Sequence, residues 1–366
     1  MRRISLILAA SLAIALPAHA ADDTATVIRE LGLKEADAPV RSWKGWKAPK
    51  KIVVVVDGGE DVTSLTAIAP GVKLVPVRSV RDAMAELKDA DGVVGACSPD
   101  VIKAAPNLRW IHSGSAGVER CVNDPGIQSG KILLTNMQRV NGGVMAEHVI
   151  ALMMAMTRQL PAYMRAQEQE NFAVSLLPQS QLWEISGRTM LVAGLGGIGT
   201  EVAKRAHGLG MKVIATRNSG TGGPDYVSYV GKADELGKLV AQADVVVDAL
   251  PLTADTRNVF NADIFGKMRK GSFFINVGRG GTVDHDALAA VLNNGKLNGA
   301  GLDVTSPEPL PKGHPLWKAK NIIITPHVSA FSDIRDGRGW VISRENLRRY
   351  VAGEKMLSVV VPERGY

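Results

Sequence analysis

The chain has 366 residues, 46% hydrophobic and 22% charged, with 38 glycines and only 6 Phe, 5 Tyr and 6 Trp. This balance excludes a disordered chain, and at about 100–200 residues per domain the length fits two domains. Two cysteines exclude a disulfide-dense scaffold and a multi-cysteine zinc site, no apolar run reaches the ~18–20 residues of a membrane span, and the net charge of +7 is scattered, as in a basic soluble enzyme for anionic substrates and not in a nucleic-acid binder.

Met1-Arg2-Arg3 precedes the apolar run Ile4–Leu16, and Pro17 then leads to Ala18-His19-Ala20. A charged start, a short apolar stretch and a small-x-small site together predict a cleavable export signal. Cleavage is expected after Ala20, leaving 346 residues of net charge +5 in the periplasm or outside the cell. Arg2-Arg3 keep both the general and the twin-arginine export routes open. Residues 21–50 form a polar extension, helical at first. Apolar runs bounded by Gly, Pro and Asp follow at Ile52–Val56, Val72–Val77, Gly92–Ala96, Leu108–His112 and Ile132–Leu134. Continuous apolar strands separated by helical stretches predict a parallel sheet covered on both faces. Cys97 follows one of these strands, and Cys121 lies just past the turn that ends the next. An oxidising compartment would let them pair; two buried free thiols are the expected state.

Val144–Met156 is apolar on most faces, with Glu147 and His148 as the exceptions, and so predicts a helix buried on most faces. A second strand series is expected at Thr189–Ala193, Val213–Thr216, Val245–Leu250, Phe273–Val277, Gly299–Val304 and Ile322–Thr325. A helix over Asp333–Gly353 and a short strand over Ser358–Val361 are expected to return to the first domain.

The first strand of the second series runs into Gly194-Leu195-Gly196-Gly197-Ile198-Gly199, and a helix follows. This strand, glycine turn and helix predict a dinucleotide-binding (Rossmann) fold. Gly194 permits the tight turn, Gly196 lets the backbone approach a pyrophosphate, and Gly199 allows close helix–strand packing. Gly197 and Ile198 belong to the same cofactor-binding loop, and a helix expected over Glu201–Leu209 follows, its free N-terminal N–H groups facing the phosphates. The next strand ends in Arg217-Asn218-Ser219, where an acidic residue would select NAD(H). An arginine with two hydrogen-bonding neighbours suits a 2′-phosphate, so NADP(H) is expected to be preferred over NAD(H).

Ala146-Glu147-His148-Val149-Ile150-Ala151-Leu152, the glycine loop, Leu250-Pro251-Leu252-Thr253, Asn276-Val277-Gly278-Arg279-Gly280, Leu302-Asp303-Val304 with Glu308-Pro309, and Thr325-Pro326-His327 occur in one order along residues 50–366. In these stretches the sequence resembles the D-isomer-specific 2-hydroxyacid dehydrogenase family, with glyoxylate/hydroxypyruvate reductase-like members most similar. Reducing a 2-oxoacid needs a hydride donor, a cation for carboxylate and carbonyl, and an acid for the forming alkoxide. Arg279 follows one predicted strand and His327 another, at the C-terminal edge where open α/β sheets bind ligands. Glu308 is placed to orient the imidazole. The resemblance assigns these same roles to Arg279, Glu308 and His327. It also implies that Ser115, Ala116 and Gly117 in the turn after His112 bind the substrate carboxylate with Arg279, and that Asp303 contacts the nicotinamide carboxamide. Leu250, Pro251, Thr256 and Val277 would lie along the cofactor, and the helix Val144–Met156 at a homodimer interface.

The fold class expected is α/β with two doubly wound parallel-sheet domains, one Rossmann and one flavodoxin-like. The divisions are 1–20 signal, 21–50 extension, 51–140 substrate-binding domain, 141–328 dinucleotide-binding domain and 329–366 returning segment. The expected function is exported interconversion of a small 2-oxoacid and its D-2-hydroxyacid with NADP(H), without a metal. The alternative is an exported non-catalytic nucleotide- or ligand-binding protein that keeps the fold, and an intact Arg–Glu–His trio speaks against it. Glu308 also separates the chain from the formate-oxidising branch of the family, which has Gln there by resemblance.

Overall fold

The computed structural model describes residues 24–56, 63–172, 174–220, 222–333 and 335–364, and the expected export signal lies outside them. Strands β1 (Lys51–Val55), β2 (Lys73–Val77), β3 (Gly92–Val94), β4 (Trp110–His112) and β5 (Leu133–Thr135) form a five-stranded parallel sheet in the order β2-β1-β3-β4-β5. This is the flavodoxin-like strand order. Strands β6 (Thr189–Ala193), β7 (Lys212–Thr216), β8 (Tyr229–Gly231), β9 (Val245–Asp248), β10 (Ser272–Asn276), β11 (Leu297–Leu302) and β12 (Ile322–Ile324) form a seven-stranded parallel sheet in the order β12-β11-β10-β9-β6-β7-β8. Its strand order reverses between β6 and β9, which opens a crevice beyond their C-terminal ends. The residues explain the strands: β9 is Val-Val-Val-Asp and β10 is Ser-Phe-Phe-Ile-Asn, and both are buried throughout. Such runs need cover on both faces of the sheet.

Two buried clusters supply that cover. One face holds Val192, Val247 and Ile275 against the helices Gly142–Thr157 and Gly197–Gly208, and the other holds Val246, Phe274 and Leu302 against Leu236, Phe265 and Leu288. The helix Gly142–Thr157 buries Met145, Ala146, Val149, Leu152, Met153 and Met156 in its own domain. The C-terminal helix Arg335–Ala352 packs on the five-stranded sheet, where Tyr350 stacks on Trp110 with ring centroids 4.5 Å apart.

Three expectations are corrected. The second sheet has a seventh strand, β8, whose three residues Tyr229-Val230-Gly231 form no apolar run and pair only at the sheet edge. Ser358–Val361 is not a strand. Leu357 and Val359 make only isolated bridges to Glu35 and Thr135, and Ser358 sits in the left-handed region at φ 53°, which breaks the extended path. Cys97 and Cys121 are joined in a disulfide and are not two free thiols, with Cα atoms 5.8 Å apart. Strands β3 and β4 pair directly, Val94 opposite His112, so the loops that leave them run side by side.

Candidate active site

Strand β6 is followed directly by Gly194 at φ 94°, where a Cβ would meet the Ala249 carbonyl oxygen at 2.9 Å. A Cβ on Gly199 would overlap the Gly194 carbonyl oxygen, so helix and strand can approach this closely only without side chains. Gly196 has nothing within 4 Å of its Cβ position and caps the helix Gly197–Gly208 with no side-chain hydrogen bond. The helix therefore presents free N–H groups and its positive dipole end to open space, which fits a dinucleotide pyrophosphate. Gly197 and Ile198 form the first turn of that helix.

At the end of β7 the Thr216 carbonyl accepts from the Gly194 and Leu195 N–H groups, tying the two turns together. Arg217 Nη1 donates to the Gly222 carbonyl at 3.0 Å, and Asn218 and Ser219 are exposed beside it. Leu250 and Pro251 begin a loop closed by Thr256, whose hydroxyl donates to the Pro251 carbonyl at 2.6 Å and accepts from Thr253 N–H at 2.8 Å. Val277 is fully buried in the core at the end of β10. Asp303, buried at the end of β11, accepts from the Thr325 hydroxyl at 2.6 Å and from the Val328 and Ser329 N–H groups at 3.0 Å each. Burial pushes its pKa up, but these bonds outweigh that and hold it below the usual carboxylate value. Asp303 thus braces the segment on either side of His327, and His148 adds a contact to Thr325 at 3.0 Å.

The crevice between the sheets is lined by Ser115, Gly117, Arg279, Glu308, His327 and Trp340. His327 adopts φ 56°, a left-handed conformation uncommon for a residue with a side chain. Its Nδ1 lies 2.7 Å from Glu308 Oε1. An ionised carboxylate only accepts, so Nδ1 carries the proton and Nε2 is the nitrogen left for other partners. Arg279 reaches from the seven-stranded sheet to the Ser113–Gly117 turn of the other sheet, and a Cβ on Gly117 would overlap its Nη2. In that turn, Met137 N–H donates to the Ser115 carbonyl, Asn136 Nδ2 to the Ala116 carbonyl and Ser115 Oγ to the Gly117 carbonyl. The Ala116 and Gly117 N–H groups have no acceptor among the described residues, and are thus available to an anion.

Residues 150–329 match the D-isomer specific 2-hydroxyacid dehydrogenase, NAD binding domain. A glyoxylate reductase of Korarchaeum cryptofilum is 31% identical over 276 residues, which are 73% of this chain and 82% of the relative. The chain belongs to the D-isomer-specific 2-hydroxyacid dehydrogenase family. A glycerate dehydrogenase of Methylorubrum extorquens is 33% identical over 238 residues, 63% of this chain and 72% of that one. Among solved structures, a D-isomer specific 2-hydroxyacid dehydrogenase family protein of Aeromonas salmonicida superposes with a TM-score of 0.73 at 30% identity, covering 86% of this chain and 99% of its own. An NADPH-dependent glyoxylate/hydroxypyruvate reductase of Sinorhizobium meliloti, in complex with NADP and sulfate, gives a TM-score of 0.73 at 29% identity over 87% of this chain and 100% of that one.

Two polar residues of this dehydrogenase were not singled out from its sequence. Glu119 Oε1 accepts from Arg279 Nε at 2.7 Å, while Arg279 Nη1 donates to the Gly278 carbonyl at 2.7 Å. The ion pair joins the two sheets and fixes the Nε side of the guanidinium, leaving further N–H groups on the Nη atoms. Its sequence signal is a lone carboxylate two residues past the Ser/Gly turn. Asp248 is the other, an acidic residue that ends the apolar strand β9.

Proposed function

We propose that the protein is an exported NADP(H)-dependent reductase of a small 2-oxoacid, producing the D-2-hydroxyacid. One observation carries this reading. Arg279, the Glu308–His327 pair and the substrate turn line a single crevice, with an open glycine loop at the head of the adjoining domain. The Nη groups of Arg279 and the Ala116 and Gly117 N–H groups would hold the substrate carboxylate. A bound dihydronicotinamide supplies the hydride. His327 Nε2 gives its proton to the substrate oxygen as charge develops there, and Glu308 steadies the imidazolium before that transfer. Asp303 holds the His327 segment, with the nicotinamide carboxamide as its proposed further contact. No observation favours the non-catalytic alternative, because every group this chemistry asks of the chain is present.

Arg217, Asn218 and Ser219 support the preference for NADP(H), since the guanidinium keeps N–H groups beyond its bond to Gly222. Arg217→Asp should lower the ratio of NADPH to NADH efficiency about 10- to 100-fold, the worth of a lost charge-assisted bond plus a new repulsion. Comparing kcat/KM for the two cofactors checks this, and an unchanged ratio removes Arg217 from the site. The disulfide supports export, because such bonds persist in oxidising compartments. For the homodimer, the support is apolar surface just past the helix Gly142–Thr157, where Leu160, Met164, Phe172 and Val174 are exposed.

The whole reading is tested on protein purified from the periplasm. Its mass should correspond to a chain starting at Ala21 with no free thiol. It should oxidise NADPH with glyoxylate or hydroxypyruvate and sediment as a dimer. Retention of the leader would refute export, absence of turnover with any 2-oxoacid would refute the reductase, and a monomer at high concentration would refute the dimer.

A further inference from the structure

Thr282 Oγ1 lies 2.5 Å from Asp248 Oδ2 and 2.6 Å from the Arg279 carbonyl oxygen. Two separate near-linear hydrogen bonds at these lengths use two protons, whereas one hydroxyl proton shared between both acceptors would leave each bond bent and weak. A threonine hydroxyl has one, and a carbonyl has none. The second proton has one remaining source, the Asp248 carboxyl group. Its other oxygen, Oδ1, accepts from the Leu250 N–H at 3.0 Å, so one oxygen is an acceptor and the other is free to be the O–H. We propose that Asp248 is a positioning residue: as a neutral carboxylic acid it donates to Thr282 Oγ1, and the Thr282 hydroxyl in turn donates to the Arg279 carbonyl, fixing the loop that carries this arginine. The functional half of this inference rests on the reading of Arg279 as the cation that holds the substrate carboxylate.

The surroundings favour the neutral form. Asp248 is fully buried at the end of β9, and its neighbours across the sheet are Ala193 on β6 and Asn276 on β10, neither of them ionisable. The Arg279 side chain is turned away to Glu119, so the cation nearest in sequence to this network is engaged elsewhere. Burial raises the carboxyl to about 7, against the smaller downward pull of the Thr282 and Leu250 bonds. Asn276 completes the support. Its Nδ2 donates to the same Arg279 carbonyl at 3.0 Å and its Oδ1 accepts from Gly278 N–H at 2.9 Å, so the carbonyl is held from two sides. One buried carboxyl therefore links the Leu250 loop, on the proposed cofactor side, to the arginine loop on the substrate side.

The test combines infrared spectroscopy, melting and kinetics on the full mature chain. At about pH 6 the wild type should show a protonated-carboxyl C=O band that Asp248→Asn lacks. Asparagine reproduces both bonds, donating to Thr282 and accepting from Leu250. Raising a folded-state pKa makes stability greatest at acid pH and lost as pH rises through about 7. The melting temperature of Asp248→Asn should therefore pull ahead of the wild type between about pH 4 and 7 and hold that lead above. Asp248→Asn should keep the glyoxylate KM within about twofold, whereas Thr282→Val, which removes the relay, should raise KM roughly tenfold with a smaller change in kcat. Absence of the band, or a KM rise in Asp248→Asn equal to that of Thr282→Val, would overturn the proposal. The band and the melting difference are read without substrate. A chain that shows both yet reduces no 2-oxoacid supports the proton placement and refutes the reading of Arg279.

Discussion

His327→Ala is expected to lower kcat for 2-oxoacid reduction by about 10²- to 10⁴-fold, the range for removal of a general acid. The side chain is 47% exposed and among the described residues its one side-chain partner is Glu308, so its loss takes little packing from the fold. NADPH affinity and melting temperature should stay near wild type, which separates a lost proton donor from a lost structure. Glu308→Gln should fall between the two, because an amide oxygen can still accept from Nδ1 but no longer offsets the charge of an imidazolium. Arg279→Ala should cost about 10²- to 10³-fold in kcat/KM. Arg279→Lys should recover only part of it, since a lysine cannot reproduce a bidentate fork or reach Glu119 and the crevice at once. Steady-state kinetics with glyoxylate and NADPH measure all four. Wild-type turnover in His327→Ala would mean that the proton comes from elsewhere and that the mechanism is wrong.

Legibility of the site in the sequence follows from what each residue depends on. The glycine loop depends on its neighbours in the chain. Strand β6, Gly194 at positive φ and the helix from Gly197 follow one another directly, and their order alone carries the reading. Arg279 and His327 depend on strand ends, and apolar runs such as Phe-Phe-Ile and Ile-Ile-Ile mark those ends well. Glu119 and Asp248 depend on partners 160 and 34 residues away, Arg279 and Thr282, and no local pattern announces either contact. The same limit explains the cysteines. Their pairing required β3 and β4 to be neighbours in register, which strand existence does not establish. The missing β8 and the absent strand at Ser358–Val361 fail for a local reason instead. Three-residue edges leave almost no apolar period, and one left-handed residue interrupts an otherwise extended run.

Gly199→Ala is expected to weaken NADP(H) binding by more than about 100-fold, because its closest clash falls on backbone. The new Cβ would overlap the Gly194 carbonyl oxygen and would come within 2.9 Å of Val192 Cγ1 in the buried strand β6. The carbonyl is backbone and cannot rotate away, and Val192 is fully buried with a stiff β-branched side chain. The helix Gly197–Gly208 must then shift from the strand, and its N-terminal N–H groups leave the positions at which they meet a pyrophosphate. Overpacking of this kind typically costs about 1–3 kcal/mol of stability, so the melting temperature should fall as well. Gly208 provides the control on the same helix. Nothing lies within 4 Å of its Cβ position, and alanine there should stabilise the helix by up to about 1 kcal/mol while leaving affinity unchanged. Titrating NADPH fluorescence against both variants separates close packing at the turn from general tolerance of the helix to alanine. Equal affinity in Gly199→Ala and wild type would remove the glycine loop from the cofactor site and leave Arg279 and His327 without a hydride donor beside them.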